Sequence, residues 1–450
     1  MTDVDRRATV VLPESRTSGK DQHHSHDPGA DTGRGPGRWG DRVPSPTRLA
    51  LLCGLLYLPF IGLGYGTDID ITNILRSGES ILAGDYRYSR PPGAFPYELL
   101  VGGLDRIGGP ALVNLASAAA AIAGLVSLAR IVERNHGARA GRIAVIVVAT
   151  QPWFWVAATS LGDYLFALAL LLVGIDAAQR DARIAAGLAF GLAVGFRSTT
   201  CLLVAAYLLA EVTGRSVRHP DGTGDRKWRD AFVTGVGAAV VGAAMFVPPW
   251  LSVGQTTQFL DNQLRTGDVL VMLARWGVKN AAFFGVIAIV LLLVRAPVLF
   301  AGLDRFRSLV MVRFAVFGGL VTELLFLRFP WKPVHLLPMA VCVAILLAVS
   351  PRTSNRLVAG VVASQLALAV VSVSIAEPDV ADAATDGQFA PGLTRGVVVN
   401  DIDCRLDPPF AGDWPDLSTP EADFAAVDLF ACQARSWRAG EGPSPLPDDS

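Results

Sequence analysis

Between Arg48 and Asp68 the chain carries no charged side chain, and the run is long enough to cross a bilayer, which takes roughly 20 residues as a helix. Such a run leaves few folds open. In hydrocarbon every backbone N–H and C=O needs a partner within the protein, which a helix supplies from its own turns. Comparable runs recur near residues 110–130, 142–159, 161–178, 183–197, 199–213, 231–250, 279–295, 309–327, 335–350 and 356–376, about eleven crossings by hydropathy. Hydrophobic residues make up 51% of the chain and charged ones only 18%. That balance predicts an all-α, polytopic transmembrane helical bundle over residues 48–376.

The formal net charge of -1 hides an asymmetry that sets orientation. Basic residues gather in alternate loops: Arg130, Arg134, Arg139 and Arg142; Arg180 and Arg183; Arg215, Arg218, Arg226, Lys227 and Arg229; Arg295, Arg305 and Arg307; Arg352 and Arg356. Cytoplasmic loops collect Lys and Arg, so these loops face inward. An integral plasma-membrane protein follows, its N-terminus cytoplasmic and its C-terminus extracytoplasmic. Residues 1–47, rich in Gly, Ser, Asp, Arg and Pro, read as a disordered cytoplasmic tail without a signal-peptide pattern. Residues 377–450 read as an extracytoplasmic tail or small lobe, with Val397–Val399 as a strand-like run. Cys404 and Cys432 in that tail can pair in an oxidising compartment, whereas Cys53, Cys201 and Cys342 sit in apolar runs as small fillers.

The informative polar groups fall on the outer side, above all in the loop 67–109. Asp68 and Asp70 stand where lipid meets water, and an acid at the centre of a span would cost on the order of 3 kcal/mol, so carboxylates at such a rim are tolerated or used. Ile71, Ile74, Leu75, Ile81 and Leu82 have the spacing of a surface helix with one apolar face, ended by Gly84. Tyr86, Tyr88, Ser89 and Arg90 then lead into Pro91, Pro92 and Gly93, which fix the backbone. The aromatic rings serve either as interface anchors or as stacking faces for a sugar. His23, His24, His26 and Asp27 lie in the solvated tail, and Asp401 and Asp403 lack a membrane-edge context.

The acidic pair after the first span, the surface helix, and the Ser89-Arg90-Pro91-Pro92-Gly93 turn followed by Pro96, Tyr97 and Glu98 resemble the first outer loop of GT-C superfamily glycosyltransferases. Further segments share the resemblance: the Thr159–Asp163 turn, the glycine-rich run Gly187–Arg197, and Phe329–Pro338 before a Leu-Pro helix start. It covers roughly residues 48–350 and is similar to the protein mannosyltransferases and aminoarabinose transferases. It implies transfer of a sugar from a polyprenyl-phosphate carrier to a lipid, glycan or protein acceptor, with Asp68 or Asp70 as catalytic base and Asp163 as a second acid. Developing phosphate charge requires cations, and Arg90, Arg197, Arg328, Lys332 and His335, with Tyr88 for the sugar, are the candidates. Glu323, near the outer end of its span, pairs with Arg328 or lines the cavity. No cofactor is required; a carboxylate pair such as Asp68 with Asp163 can hold Mg²⁺ or Mn²⁺. No nucleic-acid partner is expected. A transporter or lipid flippase and a non-catalytic envelope-assembly protein are the competing classes, although the polar groups gather at one surface, not at the midplane that transporters use.

Overall fold

The computed structural model describes residues 43–66, 68, 70–214, 224–253, 269–303, 309–330, 332–374 and 392–406. The His23–Asp27 segment and Cys432, with its pairing to Cys404, lie outside them. The first helix, α1 (Pro46–Leu55), starts two residues before the predicted boundary. Ser45 caps it by accepting the Arg48 amide, and Pro46 fills the first-turn position where a missing N–H costs nothing. A short 3₁₀ turn follows at Leu58–Phe60, and the chain then unwinds toward Gly66. Buried Asn114 donates to the carbonyls of Ile61 (2.9 Å) and Gly64 (2.6 Å), so the unwound end keeps its hydrogen bonds.

The surface helix α2 (Asp70–Leu82) forms as its spacing predicts. Its apolar face turns onto protein: Ile71, Ile74 and Leu75 are buried with Tyr97, Val101 and Leu161 in a cluster beneath the loop. Helix α3 (Phe95–Ala149) is broken by non-helical backbone at Gly108–Gly109 and at Gly137, so it runs as three segments. α2 crosses the first of these at Gly78 and Gly102. A Cβ on Gly78 would lie 2.7 Å from the Gly102 Cα, so only glycines allow this approach.

The remaining bundle comprises α4 (Pro152–Ala158), α5 (Asp163–Ala178), α6 (Arg183–Phe196), α7 (Thr200–Thr213), α8 (Gly224–Val253), α9 (Val269–Phe284), α10 (Val286–Val294), α11 (Ala296–Leu303), α12 (Val310–Arg328), α13 (Leu337–Val349) and α14 (Asn355–Val370). A 3₁₀ turn, Pro333–Leu336, leads into α13. Principal neighbours are α1 with α3, α3 with α5 and α13, α5 with α6, α6 with α8, and α12 with α7 and α13. Each predicted apolar run contains a helix, but the run at 48–66 is α-helical only to Leu55 and the run at 356–376 only to Val370, where a strand takes over. Among the described residues three helices are long and apolar enough to cross a membrane by length and composition, or five if α4–α5 (bent by 101°) and α9–α10 (bent by 91°) each count as one span. On α8, Trp228, Phe232, Val236, Val240, Val247 and Leu251 form an exposed apolar stripe. In water that would be a large sticky patch; in lipid it is the outer wall of an integral membrane protein.

Helix α5 sets a length scale. Asp163 begins it and Asp176 lies 13 residues on, about 20 Å away at the helical rise. At that far end Asp176 pairs with Arg134 (2.7 Å) and Arg180 (3.1 Å), while Arg183 bridges to Glu211 and to Asp230 (3.5 Å). The basic loops therefore carry their own ion pairs, distant from Asp163.

After α14 the chain forms a strand, β1 (Val371–Ser374), paired antiparallel with β2 (Gly392–Arg395) in the register Val371↔Arg395. The expected strand at Val397–Val399 is instead the first turn of a helix, α15 (Val397–Leu406). Val397 and Val398 are both buried, a pattern adjacent strand residues, which face opposite ways, cannot give against a single surface. α15 packs on α4 and α14, which joins this part of the tail to the bundle.

Candidate active site

The first loop is organised by a residue that reads in the sequence only as the end of a motif. Glu98, in the first turn of α3 and fully buried, accepts hydrogen bonds from the Tyr86 hydroxyl (2.6 Å), the Ser89 amide (2.9 Å), the Ser89 hydroxyl (2.5 Å) and the Ala94 amide (3.4 Å). These bonds fold residues 86–94 back over the start of α3 and fix Arg90 between them. Beside Glu98, burial and the carboxylate's negative charge push the Tyr86 phenol well above its usual range, so it remains a donor.

Asp68 and Asp70 open α2. The Asp68 carboxylate accepts the Asp70 amide at 2.9 Å, and the positive end of the helix favours both acids. From there the charges alternate through the site. Lys332 Nζ donates to Asp68 Oδ1 (2.6 Å) and Asp70 Oδ2 (2.8 Å). Arg90 pairs with Asp70 through one terminal nitrogen and with Asp163 through the other (2.6 Å). Arg197 Nη1 reaches Asp163 at 3.2 Å, and its guanidinium lies 4.1 Å from the Tyr164 ring centroid, a cation–π distance. The Tyr164 hydroxyl is 3.2 Å from His335 Nε2, with the tautomer deciding which group donates.

Three acids thus meet three cations with no net formal charge. Asp163 is the deep member at 2% exposure, whereas Asp68, Asp70, Arg90 and Lys332 are 23–27% exposed and within reach of a ligand. For Asp70 burial works against ionisation, but the Lys332 ammonium and the Arg90 guanidinium overrule it and hold the carboxyl well below the carboxylate range. Burial likewise opposes the charges of Arg90 and Lys332, and the facing aspartates raise both above their ordinary values. Arg90 and Lys332 are thus held as cations already turned toward oxyanions.

Of the candidates named from the sequence, the structure brings together Asp68, Asp70, Asp163, Arg90, Arg197 and Lys332, with His335 joined through Tyr164. Glu323 stands apart. It accepts from Trp276 Nε1 (2.8 Å) and Asn280 Nδ2 (3.4 Å) on α9, the neighbouring helix. Arg328 lies over the Phe329 ring at 5.3 Å. Tyr88 is half-buried in the turn before Ser89. Sequence reasoning missed Glu98, whose signal is an acid in the first turn after a Pro-Pro-Gly break, and Tyr164, the neighbour of Asp163. Among the described residues no group of three or more His, Cys, Asp or Glu side chains could hold a metal ion, and the carboxylates of Asp68 and Asp163 face ammonium and guanidinium groups.

The dolichyl-phosphate-mannose-protein mannosyltransferase family matches residues 109–251, a stretch that contains Asp163 and Arg197. Over that stretch, about a third of the chain, the resemblance to protein mannosyltransferases expected from the sequence is met. Among solved structures the chain is similar to ArnT from Cupriavidus metallidurans bound to undecaprenyl phosphate, at 18% identity and a TM-score of 0.49, covering 76% of this chain and 63% of that one. The same ArnT in the apo state gives 19% identity and a TM-score of 0.48. The oligosaccharyltransferase of Archaeoglobus fulgidus, tethered with an acceptor peptide, gives 13% identity and a TM-score of 0.40, covering 72% of this chain and 54% of that one. No curated protein matches. The chain spans about 63% of the length of the ArnT chain it matches. Asp68, Asp70, Arg90 and Lys332 lie outside the family match and rest on the geometry alone.

Proposed function

We propose that this chain is a membrane glycosyltransferase that moves a sugar from a polyprenyl-phosphate carrier to an acceptor hydroxyl at the extracytoplasmic face of the plasma membrane. The observation that carries this reading is the alternating lattice of three aspartates and three cations at the rim of the first loop. The carrier's phosphate competes with the carboxylates for Arg90, Arg197 and Lys332. As the acceptor oxygen bonds to the anomeric carbon, an aspartate takes its proton. The bond from that carbon to the phosphate oxygen breaks, and its electron pair leaves on a phosphate monoester held by the three cations. Asp68 meets one cation where Asp70 meets two, so Asp68 can turn toward an acceptor at the loss of a single ion pair. The contact of α15 with α4 supports a C-terminal segment on the same face as the site.

The direct test is transfer of labelled sugar from a polyprenyl-phosphate donor by the purified protein in lipid. Transfer is expected; uptake or flipping of substrate in proteoliposomes without transfer would replace this reading with the transporter one.

The ionic lattice also fixes a pH dependence. Asp70, with its folded pKa lowered, contributes stability that is present above its unfolded value of about 3.9 and lost as pH falls through the folded one. Lys332, with its folded pKa raised, contributes stability that is complete below about 10.4 and lost as pH rises through the folded value. Wild-type turnover therefore stays level on the acid side down to about pH 4 as far as Asp70 is concerned. In Lys332→Met the main charge holding Asp70 down is gone and burial acts with less opposition, so the acid limb of the turnover profile shifts upward by roughly a unit or more. An unshifted limb in this variant would show that Lys332 does not govern Asp70.

A further inference from the structure

The turn that carries Asp163 is held from two sides. On one, the Leu161 amide donates to the Tyr65 carbonyl at 2.7 Å, just before the first loop, and Gly66 presses so close to Ser160 that a Cβ there would lie 2.6 Å from the serine Cβ. On the other, Arg405 of α15 donates from Nη1 to the Thr159 carbonyl at 2.7 Å. The Arg405 side chain is 1% exposed and is itself held by Asp401 at 2.9 Å, one helical turn earlier, whose side chain is 8% exposed. Its Nε and Nη2 are buried with no hydrogen-bond partner among the described residues, so Asp401 holds Nη2 as an ion pair alone. A guanidinium so deeply buried is costly; here the Asp401 carboxylate offsets its charge, and its one hydrogen bond goes to the backbone carbonyl at the end of α4.

We infer that Arg405, held by Asp401, is a positioning residue for the acidic turn, so that the C-terminal helix is part of the active-site framework. The inference rests on the proposed function only for its consequence for carrier binding. Thr159 ends α4, and its carbonyl has no helical donor to meet because the chain turns away through 101° before α5 begins. Arg405 supplies that donor. Four residues later Asp163 holds Arg90 and Arg197 at once, so a shift of the turn moves two of the three cations that face the carrier phosphate. The third, Lys332, sits on a different segment and is spared.

Arg405→Lys keeps the charge and loses the fork that serves Thr159 and Asp401 together. Two readouts on the full-length protein in lipid test it. Hydrogen exchange at the Leu161 and Asp163 amides is expected to quicken at least tenfold, with no change in α6 and α7. Affinity for undecaprenyl phosphate, measured without any sugar, is expected to weaken about tenfold. Asp230→Asn, which loosens the distant ion pair with Arg183, serves as the control. It is expected to lower the unfolding midpoint while leaving both readouts at wild-type values. Unchanged exchange at Leu161 and Asp163 in Arg405→Lys would overturn the inference, as would an affinity loss that Asp230→Asn reproduces. Failure of the wild-type protein to bind the lipid phosphate would count against the proposed function, and the exchange measurement would still decide the role of Arg405.

Discussion

If the proposed function holds, Asp68→Asn is expected to lower turnover by roughly 10² to 10⁴-fold, the usual contribution of a general base, while leaving the affinity for the proposed polyprenyl-phosphate carrier close to wild type. Asp70→Asn is expected to behave differently. Asp70 is one of two carboxylate partners of both Lys332 and Arg90, so its loss leaves each cation with a single acid and more open to a carrier phosphate. Affinity should then rise several-fold while turnover falls, because phosphate held more tightly in the ground state gains nothing in the transition state. The two substitutions differ from the native residues by a single charge at sites about a quarter exposed, so folding should survive both. Turnover and lipid-phosphate binding measured on the same preparations separate the roles. Wild-type turnover in Asp68→Asn with turnover abolished in Asp70→Asn would transfer the base assignment to Asp70. Wild-type turnover in both would remove the loop acids from the chemistry.

Much of this architecture was legible because the bilayer simplifies the code. A run without charge favours a helix when nothing but protein can satisfy its backbone, and each such run in the chain holds one, although the first unwinds after Leu55 and the last passes into a strand at Val371. The breaks were harder to see. Gly285, with positive φ, bends α9 against α10, and Gly108–Gly109 divides α3, yet a glycine inside an apolar run looks the same in sequence whether it kinks the helix or only lets a neighbour approach. At the site, span-end position singled out Asp68, Asp70, Arg90, Arg197 and Lys332, and the family resemblance added Asp163; the structure brings these six together. Their pairing was not readable, since it joins segments as much as 264 residues apart. Glu98 and Arg405 escaped notice for a related reason. Each looks like an ordinary charge at a helix end, and only the fold shows that one gathers the donors of a turn and the other reaches a carbonyl 246 residues earlier. The donors of Glu323 were equally hidden, since Trp276 and Asn280 come from a helix more than 40 residues earlier.

Asp163 is the member of the lattice whose loss should cost both stability and activity. Its carboxylate lies between the Arg90 and Arg197 guanidiniums and is almost fully buried. Asp163→Asn would leave two guanidiniums facing an amide that cannot neutralise either. Breaking a buried ion pair costs about 3–5 kcal/mol, and because the two arginines are 27% and 21% exposed, water can reach them and the low end applies, about 3 kcal/mol. The unfolding midpoint should fall measurably. Turnover should fall by about 10²-fold or more even in the fraction that stays folded, since reacting groups displaced by an ångström lose that much. Asp163→Glu separates the two effects: it restores the charge, and with it most of the stability, but pushes the carboxylate outward by one methylene and so misplaces both arginines. The expected pattern is a near wild-type midpoint with turnover still depressed. Should Asp163→Glu recover both together, the charge alone would be what the site requires. Wild-type turnover in Asp163→Asn would mean that the lattice is a structural clasp and that the reacting centre lies elsewhere.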